Sequence, residues 1–195
     1  MYHPISTEEV LRENAAYEAR INEAEDALSR RGFPRTAIFR QPVVWGEHDQ
    51  YQHVNNAHYI RWFESARMRW MERMSRTLSP EIASNLVRGR GVGIILASTY
   101  CRYRRPVTYP DTVVIGQAAL PMKFADRVTV RSQAYSVAQS AIVAEADFEC
   151  VAYDYDRLCK SSLPPEVADA LRAWTYTGED KEPYCQKTSR RGTVS

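Results

Sequence analysis

The chain has 195 residues, 44% hydrophobic and 26% charged, enough for one domain that buries about two-thirds of its extended surface without covalent staples. Its 26 Lys and Arg face 24 Asp and Glu, a formal net charge of +2, so no global field of either sign calls for nucleic acid or a membrane surface as partner. No apolar run reaches the roughly 20 residues needed to span a bilayer, and Glu8, Glu9, Glu13 and Glu18 speak against an Arg-rich, acid-poor transit peptide.

Residues 6–31 read as a helix: Ser6 and Glu9 form a capping box, Val10, Asn14, Tyr17, Ile21, Ala24 and Leu28 follow at steps of three and four, and Gly32 and Pro34 stop it. Packing on the domain is its expected use, with an oligomer contact as the alternative. Thr36 to Trp45 suits a strand, with Pro42 marking an edge or a bulge. After a polar segment, Gly46 to Asn56, the stripe Tyr59, Phe63, Ala66, Trp70 and Met74 predicts a helix to about Arg76. Ser79 before Pro80 starts another, carrying Ile82, Leu86 and Val87 and ended by Gly89 and Gly91.

Four long segments rich in β-branched and aromatic residues follow, 92–104, 112–120, 127–138 and 141–155, separated by turn chemistry at Pro106, Pro110-Asp111, Pro121, Asp126 and Gln139-Ser140. Short links from Thr112 onward predict an antiparallel meander. A last helix is expected from Pro164-Pro165-Glu166 to about Trp174, and the polar stretch 175–195 as a flexible tail. One strand, one long apolar-faced helix and four long strands make an α+β order in which the sheet wraps the helix. Cys101, Cys150, Cys159 and Cys185 form no C-x-x-C pair, so free thiols in a reducing compartment are expected, the cytoplasm first and the mitochondrion second.

The stretch 45–67, WGEHDQYQHVNNAHYIRWFESAR, concentrates the chemistry. Asp49, His53, Asn55, Asn56 and Tyr59 lie within eleven residues on the approach to the central helix. Together they offer a base or nucleophile, a group to orient it, and donors where an oxyanion would form; the helix N-terminus adds free amides and a positive dipole end. Each residue alone also fits a plain cap or turn, with Asn56 a candidate N-cap.

As a string, Gly46, Glu47, Asp49, His53-Val54-Asn55-Asn56, Tyr59 and Glu64 closely resemble the hotdog thioesterases of the 4-hydroxybenzoyl-CoA thioesterase type, whose pattern is G-D-x-D-x-x-x-H-V-N-N-x-x-Y-x-x-x-x-E. Arg104-Arg105-Pro106-Val107 leading to Pro110-Asp111 resembles the family's R-P-x-x-x-G-D, and Leu163-Pro164-Pro165-Glu166 its L-P-x-E. The resemblance implies a hotdog fold over residues 36–174, preceded by a helical extension at 1–35, and an acyl-thioester hydrolase that works without cofactor or metal. It puts Asp49 at the catalytic aspartate, as base or nucleophile, with His53 and Asn55 positioning water or polarising the carbonyl. Asn56 and Tyr59 become substrate contacts. Glu64, one turn and a residue beyond Tyr59, is a further candidate base or else a helix-surface charge. The string also resembles plant acyl-carrier-protein thioesterases, D-x-N-x-H-V-N-N, but Tyr51 stands where they have the first Asn.

Arg102, Arg104 and Arg105 form a basic strand end suited to the phosphates of coenzyme A or of a carrier-protein pantetheine. The family also implies a homodimer or homotetramer with sites at the subunit interface. Two other hotdog activities stay open: a dehydratase or hydratase, whose His/Asp or His/Glu signatures are not found in residues 92–155, and a non-catalytic acyl-binding accessory.

Overall fold

The computed structural model describes residues 6–180 together with Pro183 and Tyr184. Its first helix, α1 (Thr7–Arg30), begins at the predicted capping box: the Ser6 amide donates to Glu9 at 2.8 Å and the Glu9 amide to Ser6 Oγ at 3.2 Å. Strand β1 (Ile38–Pro42) is shorter than the sequence suggests: Val43 N–H makes one more in-register bond, to the Asp111 carbonyl, and Trp45 then opens a single 3-10 turn. The central helix α2 (Asn56–Ser75) and α3 (Pro80–Arg88) precede the long strands β2 (Val92–Tyr103), β3 (Thr112–Ala119), β4 (Arg127–Ser136) and β5 (Ala141–Asp154). A two-residue strand, β6 (Cys159–Lys160), and helix α4 (Pro165–Ala173) complete the order.

The sheet runs β1-β3-β4-β5-β2 with every neighbour antiparallel, and β6 pairs with β5. β3, β4 and β5 form the predicted meander, and Pro42 ends an edge strand, where its missing N–H costs no ladder bond. The sheet curls around α2, whose stripe of Tyr59, Phe63, Ala66, Trp70 and Met74 is buried as predicted. This is the hotdog arrangement. Two core polar residues pin the helix to the sheet: Gln117 donates to the Phe63 carbonyl at 2.9 Å, and Ser132 Oγ donates to Gln117 at 2.9 Å. Such buried amides stay stable only when satisfied, and here they fix the depth at which α2 sits.

The other face of the sheet is covered from both ends of the chain. Ile21, Ala24 and Leu28 of α1 bury against Val114 and Ala118 of β3, so packing on the domain is the use the helix finds. Residues 175–178 pack on the domain. Thr175 bridges to Ala119, Tyr176 is 5% exposed against Phe33 at a ring distance of 5.1 Å, and the Thr177 amide donates to the Gly32 carbonyl at 3.0 Å. Gly32 and Gly178 permit this approach: a Cβ on Gly32 would meet the Gly178 nitrogen at 2.1 Å. A polar composition had suggested a solvated tail, yet one buried aromatic anchors it. The start of the expected tail is thus packed on the domain, while its residues 181, 182 and 185–195 lie outside those described. Tyr176→Ala is expected to destabilise the fold by about 3 kcal/mol, the lower range for a buried aromatic, and urea denaturation measures it.

Glu166 of the L-P-x-E string joins α4 to α3, receiving both the Ser79 amide and the Ser79 hydroxyl. Ser79 thus occupies the N-cap position of α3 with its carbonyl accepting the Ala83 amide at 2.9 Å, while its side chain turns to Glu166 instead of capping the helix.

Candidate active site

Between β1 and α2 the chain makes a tight loop closed by a bridge between His48 and Val54. Within it the Asp49 amide donates to the His53 carbonyl at 2.9 Å and the Gln52 amide to the Asp49 carbonyl at 3.0 Å, with Gln52 in the left-handed region (φ 64°). Asp49 Oδ1 accepts the Tyr51 amide at 2.8 Å, an Asx turn that fixes the carboxylate. Among the described residues no donor reaches Oδ2.

Two bonds clip this loop to the segment leading out of β2. The Val54 amide donates to the Val107 carbonyl and the Tyr109 amide to His48 Nε2, each at 2.8 Å. Three more run through Glu47, two of them to α2 and its N-cap and one to the strand exit. Its carboxylate accepts the Val44 amide and the Trp62 indole N–H, both at 2.8 Å, and its carbonyl accepts the Asn55 amide at 2.9 Å. Asp111 is spent on structure as well, accepting the Ala138 amide at 2.8 Å and the Ser136 hydroxyl.

The result is a cleft of about 520 Å³. The loop contributes Asp49, Tyr51, His53 and Val54, helix α2 contributes Asn56 and Tyr59, and the end of β2 contributes Tyr103 with Arg104, Arg105 and Pro106. Tyr59 and Tyr103 meet edge to face at 5.3 Å, and the Tyr103 hydroxyl donates to the Asn56 carbonyl at 3.0 Å. Burial pushes both phenols up to about 12, so both stay neutral near neutral pH and can donate hydrogen bonds.

Of the residues singled out from sequence, the structure brings Asp49, His53, Asn56, Tyr59, Arg104 and Arg105 to one cleft. Asn55 is the N-cap of α2 in place of Asn56: its side-chain oxygen accepts the Ala57 amide at 2.9 Å, and it is not part of the cleft lining. Glu64 lies outside the cleft on the exposed helix surface, 3.9 Å from Arg67, because five residues turn a helix about 140° from Tyr59. Arg102 stands opposite Glu145 on the sheet face away from α2, also outside the cleft. Arg104 lines the cleft but its guanidinium is held by Glu145, with Nε at 2.6 Å. Arg105 carries no ion pair among the described residues, and it is the cation left for a ligand anion.

Residues 43–171, well over half of the chain, match the family model of the thioesterase-like superfamily. The chain belongs to that superfamily. A relative from Aquifex aeolicus (strain VF5), provisionally named an esterase, is 24% identical over 135 residues, spanning 69% of this chain and 97% of its own. Among solved structures, a protein of Pseudomonas aeruginosa strain PAO1 superposes with a TM-score of 0.61 at 22% identity, over 73% of this chain and 93% of that one. The 1,4-dihydroxy-2-naphthoyl-CoA thioesterase of Synechocystis gives 0.58 at 15%, over 69% and 94%. A gentisyl-coenzyme A thioesterase gives 0.57 at 15%, over 69% and 98%. At these identities the structures share the hotdog fold.

Within this thioesterase-like frame the overlooked residues are His48 and Tyr103, and the contacts of Glu47, marked from sequence only as part of the string, were not foreseen. Glu47 and His48 sit beside Asp49 in sequence, but their partners Trp62 and Tyr109 are 15 and 61 residues away, beyond the reach of local spacing.

Proposed function

We propose that the chain hydrolyses an acyl thioester in this cleft, with Asp49 as the reactive carboxylate. The observation that carries the reading is the Asp49 carboxylate, fixed through Oδ1 by the Tyr51 amide with Oδ2 uncommitted, in the same cleft as the start of α2. In the general-base form, Oδ2 takes a proton from water as the water oxygen bonds to the thioester carbon. The carbonyl oxygen gains charge, the tetrahedral intermediate collapses, and the C–S bond breaks to give a carboxylic acid and a thiol that recovers the proton. In the nucleophilic form Oδ2 bonds to the carbon first, expels thiolate, and water then cleaves the anhydride.

The amides of α2 supply a limited set of oxyanion donors. Ala57 N–H is taken by the Asn55 side chain and His58 N–H by the Asn55 carbonyl, which leaves Asn56 N–H and the positive helix end for the developing charge. His53 and Tyr59 complete the surroundings of the carbonyl, and Arg105 at the rim suits a phosphate of coenzyme A or of a carrier-protein arm. The tyrosine-rich lining, and the aromatic acyl groups named for the Synechocystis and gentisyl-CoA enzymes, make aryl-CoA thioesters the first substrates to try.

The reading includes a homodimer formed along β2. That strand is an open edge with Ile95 and Leu96 exposed beside it, and its far end lines the cleft. Light scattering is expected to return twice the chain mass; a monomer at micromolar concentration would remove this part. The activity itself is tested by thiol release from aliphatic and aromatic acyl-CoAs and from an acyl-carrier protein. Turnover of any of them supports hydrolysis, and failure with all of them overturns it.

A further inference from the structure

The residue that couples the Asp49 loop to the central helix is Glu47, and its position assigns it more than a local turn. Its side chain is 13% exposed. One carboxylate oxygen accepts the indole N–H of Trp62, in the second turn of α2, at 2.8 Å. The other accepts the amide of Val44, ahead of the loop, at 2.8 Å. His58 Nδ1, from the first turn of α2, stands 3.6 Å from the oxygen that Trp62 uses. Its main-chain carbonyl receives the amide of Asn55, the N-cap residue.

Four contacts from one residue therefore fix three bodies relative to one another: the strand exit, the N-terminus of α2, and the loop that turns two residues later at Asp49. The Asx turn at Asp49 sets the carboxylate relative to its own loop only. Beyond the Asp49 amide bond to the His53 carbonyl, that turn does not reach the helix N-terminus. The two other clips, His48 to Tyr109 and Val54 to Val107, hold the loop to the segment after β2 and not to α2. Trp62 is itself 4% exposed and packs against Tyr59 with the rings tilted and 5.0 Å between centroids, so the indole that Glu47 grips is a fixed point of the core.

We infer that Glu47 is the positioning residue of the site, setting the Asp49 carboxylate against the amide end of α2. The inference rests on the hydrolase reading above. Attack and oxyanion stabilisation must act on one carbon at once, so both must lie at matched distances from it, and a displacement near 1 Å is enough to cost about 100-fold in rate. Glu47 touches no reacting atom; its effect passes through Asp49 and the start of α2.

The test compares wild type with Glu47→Ala and Glu47→Gln on an acyl-CoA the wild type hydrolyses. Glu47→Ala loses both carboxylate bonds, and kcat is expected to fall about 30- to 100-fold with KM within about threefold, since the cleft walls remain. Glu47→Gln keeps one acceptor oxygen, and recovery of kcat to within about fivefold of wild type is expected. The indole N–H resonance of Trp62 in the NMR spectrum should move in the alanine variant and return toward wild type in the glutamine variant. A Trp62 resonance that moves in Glu47→Ala while kcat stays within about threefold of wild type overturns the inference. So does a rate loss that only tracks the folded fraction in the same sample. Absence of turnover by the wild type would instead strike the hydrolase reading, and the Trp62 resonance would still report whether Glu47 holds the helix.

Discussion

Asp49→Asn is expected to lower kcat for thiol release by about 100- to 10,000-fold, the range of a positioned general base, with the melting temperature unchanged. The substitution is nearly isosteric. Asn keeps an oxygen to accept the Tyr51 amide that Asp49 Oδ1 now holds, so the turn stays closed. What it removes is the basicity and charge of the second atom, the one without a donor. The steady-state rate with saturating acyl-CoA, read beside a thermal melt, separates chemistry from folding. A variant that remains folded and retains wild-type kcat would withdraw Asp49 from its role. A change in KM alone would indicate that Asp49 helps to bind substrate without serving the bond-breaking step.

Asp147→Ala is expected to destabilise the fold by about 3–5 kcal/mol, lowering the melting temperature on the order of 10 °C. Arg131 is fully buried and Asp147 is 4% exposed. They meet in two parallel bonds, Nε to Oδ1 and Nη2 to Oδ2, each at 3.1 Å. Asp147 also accepts the Tyr184 amide at 2.6 Å, and the Arg131 guanidinium stands 4.0 Å from the Tyr184 ring centroid. Removing the carboxylate takes the nearest counter-charge from a cation that water does not reach. The double variant Arg131→Met, Asp147→Leu is expected to recover most of the loss, because two apolar side chains of similar size carry no desolvation penalty. Guanidinium titration of all three proteins checks the pair, and an unchanged midpoint for Asp147→Ala would show that the outer network adds nothing to stability.

Local chemistry placed most of the secondary structure. The capping box of Ser6 and Glu9 and the break at Gly32 set α1 to within a residue at each end. The alternation in 92–155, bounded by prolines and polar turns, located four strands whose ends moved by at most two residues. Misreadings fell where a tertiary contact outbid a local preference. Val44 and Trp45 have strand-forming side chains, but Glu47, held by Trp62 of α2, takes the Val44 amide and turns the backbone away from β3. Asn55 and Asn56 are equivalent as cap candidates in sequence, and the bond from the Asn55 amide to Glu47 decides between them.

By itself the sequence determined the fold class, the central helix with its buried stripe, and the short segment in which Asp49, His53 and Tyr59 stand together. These depend on periodicity and on residues close in the chain, where hydrogen-bond and hydrophobic preferences act over a few positions. Only the tertiary structure decided which of the marked residues share a cleft. Helical rotation carries Glu64 away from it, strand alternation puts Arg102 on the opposite face, and Glu145 holds the Arg104 guanidinium. It alone also brought Tyr103 over Asn56, Trp62 under Glu47 and Tyr176 against Phe33. Those contacts join residues 15 to 143 positions apart, and their pairing is set by how the sheet curls around α2, a property of the whole core that no local stretch encodes.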